Sequence, residues 1–177
     1  MGAYTTVAKN HFKLKKAAKG ANLEAHKIQS FSEEMEFQFQ EGANVTFGRN
    51  IVSDGRGLIY VDKNATLMIG DGVYLNDGFK LSCKESVKIG SGCLFGPDVK
   101  IYDNNHKFTK EEGVLFEHTT RPVVIGEKCW IASNVVILAG TRIGDHCLIG
   151  AGCIVHGEIP AGSKVTQKNN LVIEEIQ

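Results

Sequence analysis

From Ile125 onward a branched aliphatic residue returns every six positions, at Ile125, Ile131, Ile137, Ile143, Ile149 and Val155. Four residues after each, a second series keeps the same period in small or β-branched side chains: Cys129, Val135, Thr141, Cys147, Cys153 and Ile159. Glycine often follows the aliphatic residue, as at Gly126, Gly144 and Gly150. An α-helix spaces apolar residues by three and four, and a half-buried strand alternates, so neither accounts for a strict six. A chain wound around three flat faces does. Each unit supplies one short strand and a turn, its aliphatic residue points inward, and three units close a coil of ~18 residues. The glycine is expected to ease the turn.

Upstream the period is interrupted. Ile69, Leu75 and Leu81 obey it, then two extra residues precede Ile89, Phe95 and Ile101. Phe47-Gly48 marks an earlier start, and strand is expected from Leu58 to Val61 and from Ala65 to Ile69, so coils are expected from near Gly42. Ile101 and Ile125 lie 24 residues apart, six more than a coil requires, and the excess falls in the polar stretch from Asp103 to Arg121. That stretch is expected to leave one corner as an outward loop, where a rigid scaffold tends to carry chemistry. The first forty residues lack the period. Val7 to Ala25 is Lys- and Ala-rich and suits a helix, while Glu34 to Gln40 alternates, with Met35, Phe37 and Phe39 on one face, as a strand does. Residues 1–41 therefore read as a cap over the open first coil, 42–167 as the solenoid with its loop at 103–121, and 168–177 as a tail. The fold class is an all-β solenoid, a parallel β-helix with a short N-terminal cap and one protruding loop.

A length of 177 residues and 19.3 kDa suits one domain. Lys plus Arg and Asp plus Glu number 20 each, so no basic field points to nucleic acid or an anionic membrane. Lys9, Lys13, Lys15, Lys16 and Lys19 crowd the start without a signal-like apolar stretch, and no run approaches the ~18 apolar residues of a membrane span. A soluble, cytoplasmic protein is expected. Five cysteines, an odd number, argue for reduced thiols. Cys93, Cys129 and Cys147 each stand two residues before an inward Phe95, Ile131 or Ile149, so the register stacks them in a ladder at ~4.8 Å, with a packing role and no nucleophilic one.

The closing coils, PVVIGEKCWIASNVVILAGTRIGDHCLIGAGCIVHGEIP from Pro122 to Pro160, resemble the hexapeptide-repeat acyltransferases, in particular the galactoside, maltose and polysaccharide O-acetyltransferases and the xenobiotic acetyltransferases. The likeness extends from Phe47 to Val165. It implies a left-handed helix, against the right-handed sense of about 98% of parallel crossovers. It also implies a homotrimer with active sites in the clefts between prisms, and acetyl-CoA as co-substrate. His106, in DNNHKF at the foot of the loop, matches the family's catalytic histidine. An imidazole with pKa near ~6.5 can take a hydroxyl proton as the oxygen attacks the thioester, so no covalent enzyme intermediate is required.

Asp103 or Glu117 can fix the tautomer of that histidine, as can a backbone carbonyl. By the same resemblance Asn76 lines the acceptor and thioester region and Tyr74 the acceptor region, while Trp130, Ser133 and Ala151 flank the pantetheine arm. The tail VTQKNNLVIEEIQ departs from the family's AGNPA-like ending, and Gly157 stands where a basic residue is frequent. Lys164 and Lys168 are then the nearest candidates for the CoA phosphates. His118 lies in the loop and can face the cleft, whereas His11, His26, His146 and His156 are structural or solvent-facing. Acetylation of a sugar or glycan hydroxyl is the expected activity. The alternatives are N-acetylation of an amino or nucleotide sugar, or a non-catalytic β-helix assembly subunit. A metal-dependent hydratase on this fold needs converging imidazoles, including a His-x4-His pair that the sequence lacks, so no metal is expected.

Overall fold

The computed structural model describes residues 12–167. Short strands build three parallel sheets, two of seven strands and one of six, and a separate antiparallel pair. Each sheet is one face of a prism, because strands pair with the strand one coil away. On the first face Thr66–Ile69 pairs with Ser86–Ile89, which pairs with Val123–Ile125. Tyr74–Leu75, Leu94–Phe95 and Trp130–Ile131 stack likewise on the second face. Phe79–Cys83, Lys100–Tyr102 and Val136–Ile137 form part of the third.

This pairing sets the inward residues in columns. The first face stacks Ile69, Ile89, Ile125, Ile143 and Ile159. The second stacks Leu75, Phe95, Ile131, Ile149 and Val165, and the third Leu81, Ile101, Ile137 and Val155. The second series is buried beside them from Cys129 through Cys153, whereas its last member, Ile159, belongs to the first-face column. All five thiols are free and buried. In the ladder each Sγ donates to a carbonyl one coil on, Cys93 to Gly126, Cys129 to Gly144 and Cys147 to Pro160, all at 3.1 Å. The Cys129 contact and burial push the Cys93 thiol up, and burial beside Asp103 does the same to Cys83.

The glycines after the aliphatic residues serve a purpose other than easing the turn. A Cβ on Gly90 would meet the carbonyl carbon of Gly126 at 2.5 Å, and one on Gly126 would meet that of Gly144 at 2.7 Å. Glycine is required there because the next coil's backbone passes directly against it. The left-handed residue of the same corner comes two positions later, at Gly72 (φ 64°), Gly92 (φ 71°), Lys128 (φ 52°) and His146 (φ 58°).

Two boundaries differ from the sequence expectation. Parallel pairing begins at Asn22, well before Gly42: Asn22–Ala25, Gln29–Ser30 and Met35–Phe39 pair with Asn44–Phe47, Ile51–Ser53 and Gly57–Val61. The strand expected at 34–40 is thus one side of the first coil. Phe31, Phe37, Phe39 and Phe47 fill its interior, with Phe31 and Phe37 in edge contact at 4.9 Å. Residues 12–17 form a helix whose buried Leu14 joins this cluster. The earlier part of the expected helix and the tail at 168–177 lie outside the described residues.

The insertion before Ile125 is also larger than six residues. Ile101 and Ile125 occupy successive faces, so the whole of 104–120 leaves the coil. It is an antiparallel hairpin of Asn104–Thr109 and Gly113–Thr120, with Asn104 opposite Thr120 and His106 opposite His118.

Replacing Gly90 by Ala is expected to lower unfolding free energy by about 1–3 kcal/mol, read from urea denaturation, because backbone on both coils must shift. The same change at Gly113, whose Cβ position is open but whose φ is 72°, meets only the left-handed penalty of about 1 kcal/mol.

Candidate active site

The hairpin is anchored by a buried carboxylate. Asp103 is fully buried. Its side chain accepts from the backbone amides of Lys84 (2.8 Å), Glu85 (2.8 Å) and Ser86 (2.9 Å) and from the Asn104 amide at 3.0 Å. Its own carbonyl receives the Arg121 amide at 2.8 Å, closing the neck of the hairpin. Asp103 therefore holds the corner where the chain leaves the third face and does not orient His106, contrary to the sequence expectation. Its lone pairs are taken by a turn that would otherwise leave three amides without partners.

His106 is exposed on the first hairpin strand. Its Nδ1 lies 3.0 Å from the carbonyl oxygen of Leu115. A carbonyl can only accept, so Nδ1 is the donor, and in the neutral ring Nε2 then carries the lone pair. Such a lone pair is what a general base requires. Glu117 is engaged elsewhere, in an ion pair with Lys107 that holds its carboxyl below the usual carboxylate range. The partner of His106 is thus the backbone carbonyl, which sequence alone could not single out because it depends on hairpin register. The ring centroid of His118 lies 4.2 Å from that of His106.

The other expected residues gather elsewhere. Tyr74, Leu94, Trp130, Leu148 and Lys164 form one outward row on the second face. Asn76, Ser133 and Ala151 occupy the corner that follows, between the second and third faces, on stacked coils. The amide of Gly152, beside Ala151, donates to the Ser133 carbonyl at 2.9 Å. Tyr74 donates its hydroxyl to Asp54, which pushes the phenol up. Asn76 uses its side-chain oxygen to accept the Asp77 amide at 2.8 Å, the hydrogen bond of a turn former, and keeps its NH2 group as a donor. Leu94 and Trp130 are 50% and 54% exposed, an apolar ridge along that row. Lys164 is exposed at its end, and Lys168 lies outside the described residues.

Five of the expected residues and Lys164 therefore share one edge of the prism, and His106 stands on the hairpin at the next. The third face lies between them. A groove of about 510 Å³ beside the Asn76 corner is lined by Arg56, Gly78, Lys80 and Asp98 among others, and His106 is not among its walls. Among the described residues no three of His, Cys, Asp and Glu meet as a metal-binding group. None of their helices is long and apolar enough to cross a membrane.

Comparison with known proteins agrees with the repeat. The family model for bacterial transferase hexapeptide (six repeats) matches residues 122–157, and that for the hexapeptide repeat of succinyl-transferase matches 140–175. Residues 122–175 thus match the hexapeptide repeat of bacterial transferases. It is 33% identical over 135 residues to WbbJ of Escherichia coli K12, whose name assigns it provisionally to O-acetyl transfer in lipopolysaccharide biosynthesis; the match covers 70% of this chain and 65% of WbbJ. It is 33% identical over 118 residues to the galactoside O-acetyltransferase of the same organism, covering 67% of this chain and 58% of that one. The chain thus spans less than two thirds of either relative.

Among solved structures, the N-acyltransferase AntD from Bacillus cereus, in complex with dTDP-4-amino-4,6-dideoxyglucose and coenzyme A, superposes with a TM-score of 0.62 at 15% identity, over 85% of this chain and 81% of that one. A hexapeptide-repeat acetyltransferase of Vibrio cholerae bound to acetyl-CoA gives 0.57 at 19% identity, over 89% and 71%. At these identities the likeness concerns the fold.

Replacing Asp103 by Ala strands the amides of residues 84–86 and is expected to cost about 3 kcal/mol or more in urea unfolding. Replacement of Glu117 by Gln, which removes only an exposed ion pair, is expected to leave the unfolding midpoint nearly unchanged.

Proposed function

We propose that the chain transfers the acetyl group of acetyl-CoA to a hydroxyl of a sugar or glycan, with His106 as general base. The observation that carries the reading is the free Nε2 of an exposed imidazole whose other nitrogen is tied to the Leu115 carbonyl. The acceptor hydroxyl attacks the thioester carbonyl carbon while Nε2 takes its proton. The tetrahedral oxyanion then collapses, the C–S bond breaks, and the imidazolium returns the proton to the departing CoA sulfur. No acyl-enzyme forms, which accords with five buried cysteines that offer no accessible nucleophile. The side-chain NH2 of Asn76 is a donor suited to the oxyanion or to an acceptor hydroxyl.

The second-face edge suits the cofactor. Backbone groups of successive corners can bond the amides of a pantetheine arm, Ser133 and Ala151 are small enough to admit it, and Trp130 offers a flat wall. Lys164, exposed at the end of that row, is the cation we assign to a CoA phosphate. The separation of His106 from this edge suits the homotrimer that the family resemblance implies, with the hairpin of one copy reaching the second face of the next. The exposed Leu94 and Trp130, facing the exposed Phe108, Val114 and Phe116 of a neighbouring hairpin, supply apolar area for that contact. The names of WbbJ and of the galactoside O-acetyltransferase point the acceptor toward saccharide hydroxyls.

The test is CoA release from acetyl-CoA in the presence of a panel of sugars, amino sugars and nucleotide sugars. A hydroxyl acceptor is expected to be turned over, and His106→Ala is expected to lower that turnover about 10²-fold or more. Turnover retained in the variant removes His106 as the base, and absence of CoA binding favours a non-catalytic role.

A further inference from the structure

The proton transfer described above leaves the second imidazole of the hairpin unused. Cross-strand register sets His118 directly opposite His106, and the two rings lie 4.2 Å apart, tilted by 40°. His106 is exposed and His118 half-buried, so His118 fills the space between the base and the body of the prism. The groups facing it there are Lys84 and Asp62, ion-paired with one another at 2.8 Å. Lys107 and Glu117, the neighbouring residues of the two strands where the register shifts, pair with each other.

We infer that His118 is a positioning residue: its ring is the platform that fixes the plane of the His106 imidazole and hence the direction of Nε2. The inference rests on His106 being the base. One hydrogen bond from Nδ1 to the Leu115 carbonyl sets the tautomer but leaves the ring free to swing about the N–H···O axis, since the terminal torsion of histidine is broad. On an exposed strand nothing else described holds it. A stacked ring removes that freedom, and a reacting group held in one direction is worth far more than one that samples several. A platform beside a base that gains charge works best uncharged. Burial, Lys84 and His106 hold the His118 pKa below its ordinary value, with Asp62 opposing, which favours the uncharged ring.

The experiment compares His118→Ala and His118→Phe with wild type and with His106→Ala, measuring kcat and the KM for acetyl-CoA. Nitrogen-15 NMR reads the His106 tautomer and ring order in parallel. His118→Ala is expected to lower kcat about 10-fold with the acetyl-CoA KM changed less than about 2-fold, and to broaden or mix the His106 tautomer signals. His118→Phe restores a flat ring and is expected to keep kcat within about 3-fold of wild type. Unchanged kcat and unchanged His106 signals in His118→Ala, while His106→Ala is inactive, overturn the platform and leave the base intact. So does an equal loss in the Ala and Phe variants. Full turnover in His106→Ala is the distinct failure of the base itself, and the tautomer signals then still decide whether His118 orders the ring.

Discussion

Ile69, Ile89, Ile125, Ile143 and Ile159 lie one above another because each strand is hydrogen-bonded to the strand one coil away, and the two other faces repeat the arrangement. That parallel register constrains everything else in the molecule. A slip of one residue would turn a whole face of aliphatic side chains to solvent and bring outward polar residues inside. The chain respects this even where the period of six fails. The early coils carry longer third-face strands, Met35–Phe39, Gly57–Val61 and Phe79–Cys83, and their stacked first-face residues stand 22 (Phe47 to Ile69) and 20 (Ile69 to Ile89) positions apart, an even excess over the 18 from Ile125 to Ile143. Phe47 still stacks on Ile69 and Ile69 on Ile89. Extra residues in pairs widen a coil without reversing any side chain.

The register also explains which parts of the structure could be read from the residues. From Ile125 to Val155 each coil is minimal, every sixth residue must be aliphatic, and the fold is legible without coordinates. Before Ile69 the paired insertions hide the period although the stacking continues, so the start near Gly42 falls a full coil late. The purpose of Gly90 and Gly126 was equally hidden, because the atoms they make room for belong to the next coil. Asp103 is the clearest case. It looks like a partner for a histidine three residues away, yet it continues the inward column after Cys83 and is consumed by the amides of residues 84–86.

The candidate site follows from the same geometry. Stacked coils bring Tyr74 and Trp130 into one row and Asn76, Ser133 and Ala151 to the corner that follows it, although in the sequence it is the family resemblance, and not the spacing, that singles these residues out. The hairpin does not obey the period, so what surrounds His106 was not legible: neither the Leu115 carbonyl nor the His118 ring is specified by spacing. Because the prism is rigid, the third face keeps its two edges apart. A reaction needing His106 on one and the thioester on the other calls for two copies of the chain.

Subunit mixing tests that claim most directly. His106→Ala and Asn76→Ala chains, each expected to be strongly impaired as a pure oligomer, are dissociated, mixed and reassembled, and acetyl transfer is measured. If every site joins the hairpin of one copy to the second-face edge of another, mixed oligomers contain some intact sites and activity returns. A mixture as inactive as its parents, with exchange of subunits verified, would mean that both residues act within a single chain and would contradict the account.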